Sequence, residues 1–281
     1  MRPRHVIFAF KCGDDCIQYC SDYKYLGLVL NEFLDYNITA KSVALSANRA
    51  LGLVIAKCKI LGGVSHGVFT KLYDSMVSSI VEYGASIWGT RNYSCINAIQ
   101  NRACRLFLGV GKYTPNNAVS GDMGRKPIFH KQWKAVINLW CRLNNMSSDR
   151  LSRKVFVWAD CISISHKCVA IFNIKKTFCE LNVGHFGDIV DSLDTRFVVN
   201  TVLNKMFFVH VSKWRDSLND DISRSGRGGN KLRTYKLFKD RFETENYCKI
   251  LLPFNHRSAF AKFRCGVVPL RIETGRYENL R

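Results

Sequence analysis

The sequence predicts a mainly α-helical protein, in which a short N-terminal β-hairpin and extended segment precede a multi-helix bundle and a smaller C-terminal helical segment. Apolar residues recur every three or four positions through most of the chain, as they do on one face of a helix. Short runs rich in β-branched and aromatic residues occur near the N-terminus. With 281 residues, 47% of them hydrophobic, the chain can bury a substantial core.

Residues 1–37 are the expected β segment. The runs IFAFKC and CIQYC flank Gly13-Asp14-Asp15, and this spacing favours a hairpin. YKYLGLVL continues as a third extended run with a break at Gly27. Polar residues from Asp35 to Asn37 then provide a turn before the first helix.

Residues 38–146 are the expected helical domain. Thr39 is the predicted cap of a first helix that runs to about Leu61. The clearest periodic pattern lies in residues 69–110, where two amphipathic helices flank an aromatic–glycine corner and Gly109 ends the second helix. Two further helices are predicted to open at Thr114-Pro115, with the threonine hydroxyl as cap, and at Lys126-Pro127.

The remaining chain divides at two polar stretches. Residues 147–153 mark the first boundary, and residues 147–230 are expected to form a helical connecting region. A linker rich in glycine and polar residues spans 219–231. Residues 231–281 are then a basic C-terminal segment, with two short helices predicted on either side of Pro253.

The charge balance predicts an anionic partner. The chain contains 42 Lys and Arg against 22 Asp and Glu, a formal net charge of +20. Basic side chains gain affinity by displacing the counterions condensed on phosphates, so RNA or an RNA–DNA duplex is the expected partner. A basic surface kept for solubility is the alternative.

The twelve cysteines are expected to be free thiols in a reducing compartment. No signal peptide precedes them, and no apolar run approaches the ~20 residues that cross a bilayer. We therefore expect an intracellular protein of the nucleus or cytoplasm, neither secreted nor transmembrane.

Sequence motifs give little support to catalysis or metal binding. Cys12, Cys16 and Cys20 are evenly spaced, and Cys161, His166 and Cys168 cluster, but no Cys-x-x-Cys pair typical of zinc sites occurs. Nucleophile elbows and phosphate loops do not occur either, so no small-molecule substrate is predicted. Paired aspartates such as Asp14-Asp15 hold magnesium in polymerases, but only twelve residues precede Gly13, and a simple turn is favoured.

Basic residues interspersed with aromatics are the candidate binding site. Arginine and lysine need only charge and reach to contact phosphates, and nearby Tyr and Phe rings can stack on bases, although solvated helix faces and core aromatics are the alternatives. The candidate residues are Lys57, Lys59, Arg102, Arg105, Lys231, Arg233, Lys236, Arg257, Lys262, Arg264, Arg271 and Arg276.

Three segments carry a family resemblance: SDYKYLGLVL at 21–30, LYDSMVSSIVEYGASIWG with IQNRACRLFLGV within 69–110, and AFAKFRCGVVPLRIETGRY at 259–277. In this order they resemble the region after the polymerase core in reverse transcriptases of non-LTR (LINE-like) retrotransposons, especially Jockey-like elements. The resemblance covers nearly the whole chain and is loose from about 145 to 230.

The resemblance implies that residues 5–30 are the end of the palm and that residues 38–145 are the thumb, which rides on the template–primer duplex. It also implies that the catalytic Tyr-x-Asp-Asp turn lies upstream of FAFKCGDD and that a zinc knuckle follows PLRIETGRY. Magnesium and zinc would belong to those parts, so no cofactor is expected here. We expect a truncated reverse transcriptase without polymerase activity of its own, which retains sequence-tolerant nucleic-acid binding.

Two alternatives remain open at this point. In the first, the chain is a helical scaffold whose apolar faces dock on a protein partner of unknown identity. In the second, it is a transposon relic with no selected function.

Overall fold

A computed structural model of the chain defines residues 10–163, 170–186, 194–219, 232 and 234–268. Within these residues the protein is mainly helical, with short antiparallel hairpins near the N-terminus, as the sequence predicts. Strand β1 (Lys11–Cys12) pairs with β2 (Asp15–Cys16), and Gly13 takes a positive φ of 64° in the turn between them. The predicted third extended run folds on itself as a second hairpin, β3 (Asp22–Tyr25) with β4 (Leu28–Asn31).

The first five helices form a bundle, against which the second hairpin packs through Leu28. A π-helical turn at Asp74–Ser78 interrupts the first amphipathic helix of the 69–110 region, where an unbroken helix was expected. Gly109 ends the second at a φ of 68°, as predicted. The helices are α1 (Tyr36–Ile60), α2 (His66–Tyr73), α3 (Ser79–Glu82), α4 (Ala85–Trp88) and α5 (Ser94–Leu108).

The second half of the chain adds longer helices and an irregular C-terminal segment. A 3₁₀ turn at Tyr235–Leu237 precedes α11, so the expected continuous helix before Pro253 does not form. The helices are α6 (Asn116–Met123), α7 (Ile128–Asn144), α8 (Leu151–Ile162), α9 (Ala170–Glu180), α10 (Thr195–Asn219), α11 (Asn246–Lys249) and α12 (Phe254–Arg264).

Several helix starts differ from the sequence prediction. Asp35, rather than Thr39, caps α1, because its carboxylate accepts from the Asn37 amide at 3.1 Å. Thr39 lies inside the helix and donates its hydroxyl to the Val29 carbonyl at 2.6 Å, which fixes β4 against α1. Pro115 occupies the cap position of α6, where no side-chain hydrogen bond from Thr114 forms. α8 begins at Leu151, so residues 151–153 of the predicted polar boundary are helical.

The aromatic–glycine corner is a packing joint between the bundle and the second hairpin. The Tyr83 hydroxyl donates to the Leu26 carbonyl at 2.7 Å. Gly84 has a φ of 63°, and a Cβ there would lie 2.4 Å from the Leu28 side chain. The Trp88 indole donates back to the Tyr83 carbonyl at 3.1 Å. Glycine is therefore required at this corner both for its conformation and for the space that Leu28 occupies.

Buried residues form several clusters that cross the predicted domain boundaries. The largest combines β4 and α1–α6 with residues of α11 and α12. A second joins the apolar face of α7 to α8, α9 and α10. The sequence prediction places α7 in the helical domain of residues 38–146, but Trp133 and Trp140 of α7 pack in this second cluster. A third joins Ala118 and Trp214 to Tyr235 and Cys265 of the C-terminal segment.

Asp122, which is fully buried, holds the C-terminal segment in place. Tyr235 donates to one carboxylate oxygen at 3.0 Å and Tyr247 to the other at 2.6 Å. The Arg264 guanidinium reaches both oxygens at 3.3 Å. Burial first and the Asp122 charge second raise the pKa of each tyrosine, so both stay protonated and donate. One carboxylate thus binds three separate parts of the segment.

A second ion pair, between buried Lys239 and half-buried Glu245, lies beside this carboxylate. The ammonium of Lys239, which is 4% exposed, contacts the Glu245 carboxylate and donates to the Glu243 carbonyl at 2.6 Å. Arg264 also contacts Glu245 at 3.2 Å. Two acidic and two basic side chains therefore balance each other inside the fold, as buried charges must.

Loss of the Asp122 charge should destabilise the fold strongly. In Asp122→Asn the buried Arg264 loses one of its two carboxylate partners and keeps only the half-buried Glu245, and we expect the free energy of unfolding to fall by about 3 kcal/mol. Asp240→Asn makes the same chemical change in an exposed pair with Arg241, and we expect an effect within about 0.5 kcal/mol. Urea unfolding followed by circular dichroism measures both. Equal effects in the two variants would contradict the structural role of Asp122.

Gly124 should not tolerate a side chain. It has a φ of 55°, and a Cβ there would lie 2.1 Å from the backbone nitrogen of Thr244. We expect Gly124→Ala to lower the melting temperature by several degrees, since backbone must shift to relieve the overlap. Gly111→Ala is the control, because nothing lies within 4 Å of a Cβ at that position. Comparable melting temperatures for the two variants would show that the segment does not dock on α6 this closely.

Candidate nucleic-acid interface

The bundle around α1 and α5 has a strongly one-sided charge. Between Tyr36 and Gly121 the sequence contains only two carboxylates, Asp74 and Glu82. Both are neutralised within the fold: Asp74 contacts Arg125 and Lys131, and Glu82 contacts Lys131 at 3.0 Å. The basic residues of this region are Lys41, Arg49, Lys57, Lys59, Lys71, Arg91, Arg102, Arg105 and Lys112.

The structure brings four of the predicted residues onto two packed helices. Lys57 and Lys59 are exposed in the last turn of α1. Arg102 is exposed on α5 and donates to the Asn48 side chain of α1 at 3.3 Å, so it lies where the two helices meet. Neither helix contains an acidic residue. Part of this charge also stabilises the helix ends, since cations near a C-terminus offset the helix dipole.

Arg105 is less free than the other three residues. Its guanidinium donates to the Thr114 carbonyl at 3.0 Å and also contacts the Asn116 side chain. These bonds fix the loop between α5 and α6. Arg105 is half-buried, so only part of its charge faces outward. We place it at the edge of the interface.

Arg257 is not a surface cation, contrary to the sequence prediction. It is 2% exposed and donates to the carbonyls of Phe107 at 2.8 Å and Val64 at 3.2 Å. Its guanidinium also lies 4.0 Å from the centroid of the Phe107 ring. The side chain joins α12 to the end of α5 and to the loop after α1. Arg257 therefore stabilises the packing, and we exclude it from the candidate phosphate contacts.

Arg264 is also buried, and we exclude it too from the candidate phosphate contacts. It is 7% exposed and is bound to Asp122 and Glu245 inside the fold. A buried guanidinium that already has two carboxylate partners has no free direction for a phosphate. Lys262, in contrast, is exposed on the outer face of α12, and Lys236 is exposed in the 3₁₀ turn. The other candidates, Lys231, Arg233, Arg271 and Arg276, lie outside the described residues.

The ends of α1 and α5 meet the start of α12. A Cβ on Gly63 would lie 3.4 Å from the Cβ of Phe254, and one on Gly109 would lie 2.6 Å from Ser258. A cleft of about 420 Å³ opens at this junction, with Lys59 and Phe254 in its wall. The exposed lining therefore includes one cation and one aromatic ring, a combination that can contact phosphates and stack on bases.

Sequence reasoning missed further exposed cations on α1 and in the loop after α5. Lys41 and Arg49 are exposed on α1, and Lys112 is exposed beside Tyr113 in the loop after α5. The signal that could have found them is the near-absence of carboxylates from Tyr36 to Gly121. We refer to the exposed cations Lys41, Arg49, Lys57, Lys59, Arg102 and Lys112 as the basic face.

A larger cavity lies on the other side of α5. It measures about 710 Å³ and is lined by residues of α5, α6, α7, α9 and α10. His130 on α7 and His210 on α10 both line it, with ring centroids 6.2 Å apart. Among the described residues, neither ring nitrogen of His130 has a hydrogen-bond partner, nor does Nε2 of His210.

The part of the chain that the structure describes contains neither a candidate metal site nor a candidate membrane-spanning helix. No group of three or more His, Cys, Asp or Glu side chains there could hold a metal ion. Cys12, Cys16 and Cys20 are exposed free thiols, whereas His166 and Cys168 fall outside the described residues. None of the described helices is both long and apolar enough to span a bilayer.

Comparison with known proteins adds no assignment. No protein-family model, curated protein or solved structure matches the chain.

The buried histidines should make stability depend on pH. Burial, then His210 and Lys126, lower the pKa of His130 to about 4, and burial and Lys213 lower that of His210. Because the unfolded chain takes up these protons first, stability should fall as the pH drops from about 6.5 towards 4. We expect His130 alone to account for about 2 kcal/mol between pH 7 and pH 5.

Urea unfolding of the wild type and of His130→Phe at the two pH values checks this expectation. The variant should lose less stability on acidification, because it has one fewer group to protonate. His185→Phe is the control, since His185 is exposed. An identical pH dependence in wild type and His130→Phe would contradict the neutral, buried state of His130.

Proposed function

We propose that the chain binds nucleic acid without sequence preference, as the thumb region of a non-LTR retrotransposon reverse transcriptase holds its template–primer duplex. The observation that carries this proposal is the basic face on α1 and α5, whose helices contain no carboxylate. The resemblance in residues 69–110 supports it independently. Neither feature supplies a catalytic group, so we assign binding and no polymerisation step to these residues.

The basic face suits a phosphate backbone better than a specific base sequence. Lysine and arginine side chains on helix surfaces reach phosphate oxygens, which are the same at every nucleotide. Exposed Phe254, Phe260 and Phe263 on α12 add rings on which bases of any kind can stack. Such a surface gives affinity that is tolerant of sequence and strongly dependent on salt.

A binding titration tests the proposal. With a labelled RNA–DNA duplex and fluorescence anisotropy, each phosphate contact contributes about −0.9 to the slope of log K against log[salt]. If six cations engage, affinity should fall by about a thousandfold between 50 and 200 mM salt. Lys57→Ala/Lys59→Ala should lower affinity and reduce the slope by about 2.

Lys175→Ala/Lys176→Ala is the matched control. It removes the same charge from two exposed lysines of α9, which packs in the other core cluster; Lys175 contacts Asp160 and Lys176 contacts Glu180. We expect the duplex affinity of this variant to equal that of the wild type. Equal weakening by the two double variants would overturn the assignment to the basic face. Negligible binding at low salt would overturn nucleic-acid binding itself and favour the protein scaffold or relic.

A further inference from the structure

The cleft at the start of α12 combines apolar walls with a positive charge that has no counter-charge beside it. It measures about 420 Å³, which lies in the range of small-molecule sites. Lys59 and Arg257 contribute cations to its wall, and none of the lining residues in the described part of the chain is a carboxylate. Apolar side chains form most of the remaining wall, including Cys58, Val64, Phe69, Leu106, Phe107 and Phe254.

Arg257 carries the charge that lacks a partner. It is 2% exposed, and none of the ion pairs among the described residues includes it. Its Nε donates to the Phe107 carbonyl at 2.8 Å and its Nη1 to the Val64 carbonyl at 3.2 Å. Nη2 makes no hydrogen bond to any described residue and is not sealed off from the cleft. Because an uncompensated buried charge is costly, this nitrogen favours an anion in the cleft.

The N-terminus of α12 supplies a second donor at the same place. Pro253 caps this helix without a side-chain hydrogen bond, and the Phe254 backbone N–H bonds to no described residue. A Cβ on Gly63 would lie 3.8 Å from Nη2 of Arg257 and 4.0 Å from the Phe254 nitrogen. Both donors are therefore close to one point, in the space that Gly63 leaves open. A helix N-terminus also favours an anion through its dipole.

The number of donors favours a carboxylate over a phosphate. One buried charge and two neighbouring donors match a group with one negative charge and two oxygens. A phosphate monoester carries about −1.5 to −2 charges and three oxygens, so it would need further donors. The apolar wall suits a hydrophobic body attached to the carboxylate, and the phenylalanine rings in it favour an aromatic one.

We propose that this cleft binds a small carboxylic acid with an aromatic body. Nη2 of Arg257 and the Phe254 N–H donate to the carboxylate oxygens, and the apolar wall contacts the ring. Lys59, at the exposed rim, attracts the anion into the cleft. The proposal does not depend on nucleic-acid binding, because Arg257 does not belong to the basic face.

Titration of the full chain with 3-phenylpropionate and with its neutral analogue 3-phenylpropionamide tests the requirement for charge. We expect the wild type to bind the acid with a dissociation constant of about 1 mM or below, as a ligand of this size allows. The neutral analogue should bind at least about tenfold more weakly, because it lacks the charge that Arg257 would pair with. NMR should show nuclear Overhauser effects from the phenyl ring to the methyl groups of Val64 and Leu106, which line the cleft.

Two variants locate the anion. Arg257→Gln should bring the ratio of the two affinities close to one, since it removes the buried charge. Phe254→Asp should do the same if Arg257→Gln does not fold, because it places a carboxylate at the site. Phe254 is 38% exposed in the first turn of α12, where an acidic residue is favourable. Leu237→Asp, at an exposed position outside the cleft, is the control and should leave the ratio unchanged.

Several results would overturn the proposal. The first is equal affinity of the wild type for the acid and its neutral analogue, or no binding of either. The second is a ratio that stays at the wild-type value in Arg257→Gln and Phe254→Asp. Tighter binding of phenyl phosphate than of 3-phenylpropionate would overturn the choice of a carboxylate. The salt-dependent duplex titration is a separate measurement, so failure of this site and failure of the basic face are distinguishable.

Discussion

The buried carboxylate of Asp122 is the interaction on which the arrangement of this protein depends. A fully buried charge is costly unless it is paired and hydrogen-bonded, and Asp122 receives donors from Tyr235, Tyr247 and Arg264. These donors come from three parts of the C-terminal segment. Each part must dock for the carboxylate to be satisfied, so the segment folds onto the end of α6 as one unit.

This docking also builds the surface that we assign to nucleic acid. Arg264 lies at the end of α12, and its bond to Asp122 brings Arg257 at the other end over the Phe107 carbonyl. Arg257 in turn joins the end of α5 to the loop after α1, and it lines the same cleft as Lys59. Buried arginines thus organise the junction, and the exposed lysines around it remain available for phosphates. Some cations of this region therefore stabilise the fold, whereas others face solvent.

Local signals in the sequence identified much of the fold. Gly109 ends α5 in the left-handed conformation, which glycine adopts most easily, so this helix end can be predicted from the local sequence. The hairpin turn at Gly13 can be predicted for the same reason. The roles of Arg257 and Arg264 depend on contacts more than 140 residues apart, which local pattern does not contain. Their spacing with Ala261 on one helix face was the available clue, since Ala261 is fully buried. The larger cavity was beyond prediction because residues of five helices from distant parts of the chain line it.

Chemical protection of lysines tests the central claim most directly. The full chain is acetylated with and without an RNA–DNA duplex, and the modified lysines are quantified by mass spectrometry. We predict that the duplex protects Lys57, Lys59 and Lys112, whereas Lys175 and Lys176 on α9, which are also exposed, react at the same rate in both samples. Protection of the α9 lysines with the basic face unprotected would contradict it.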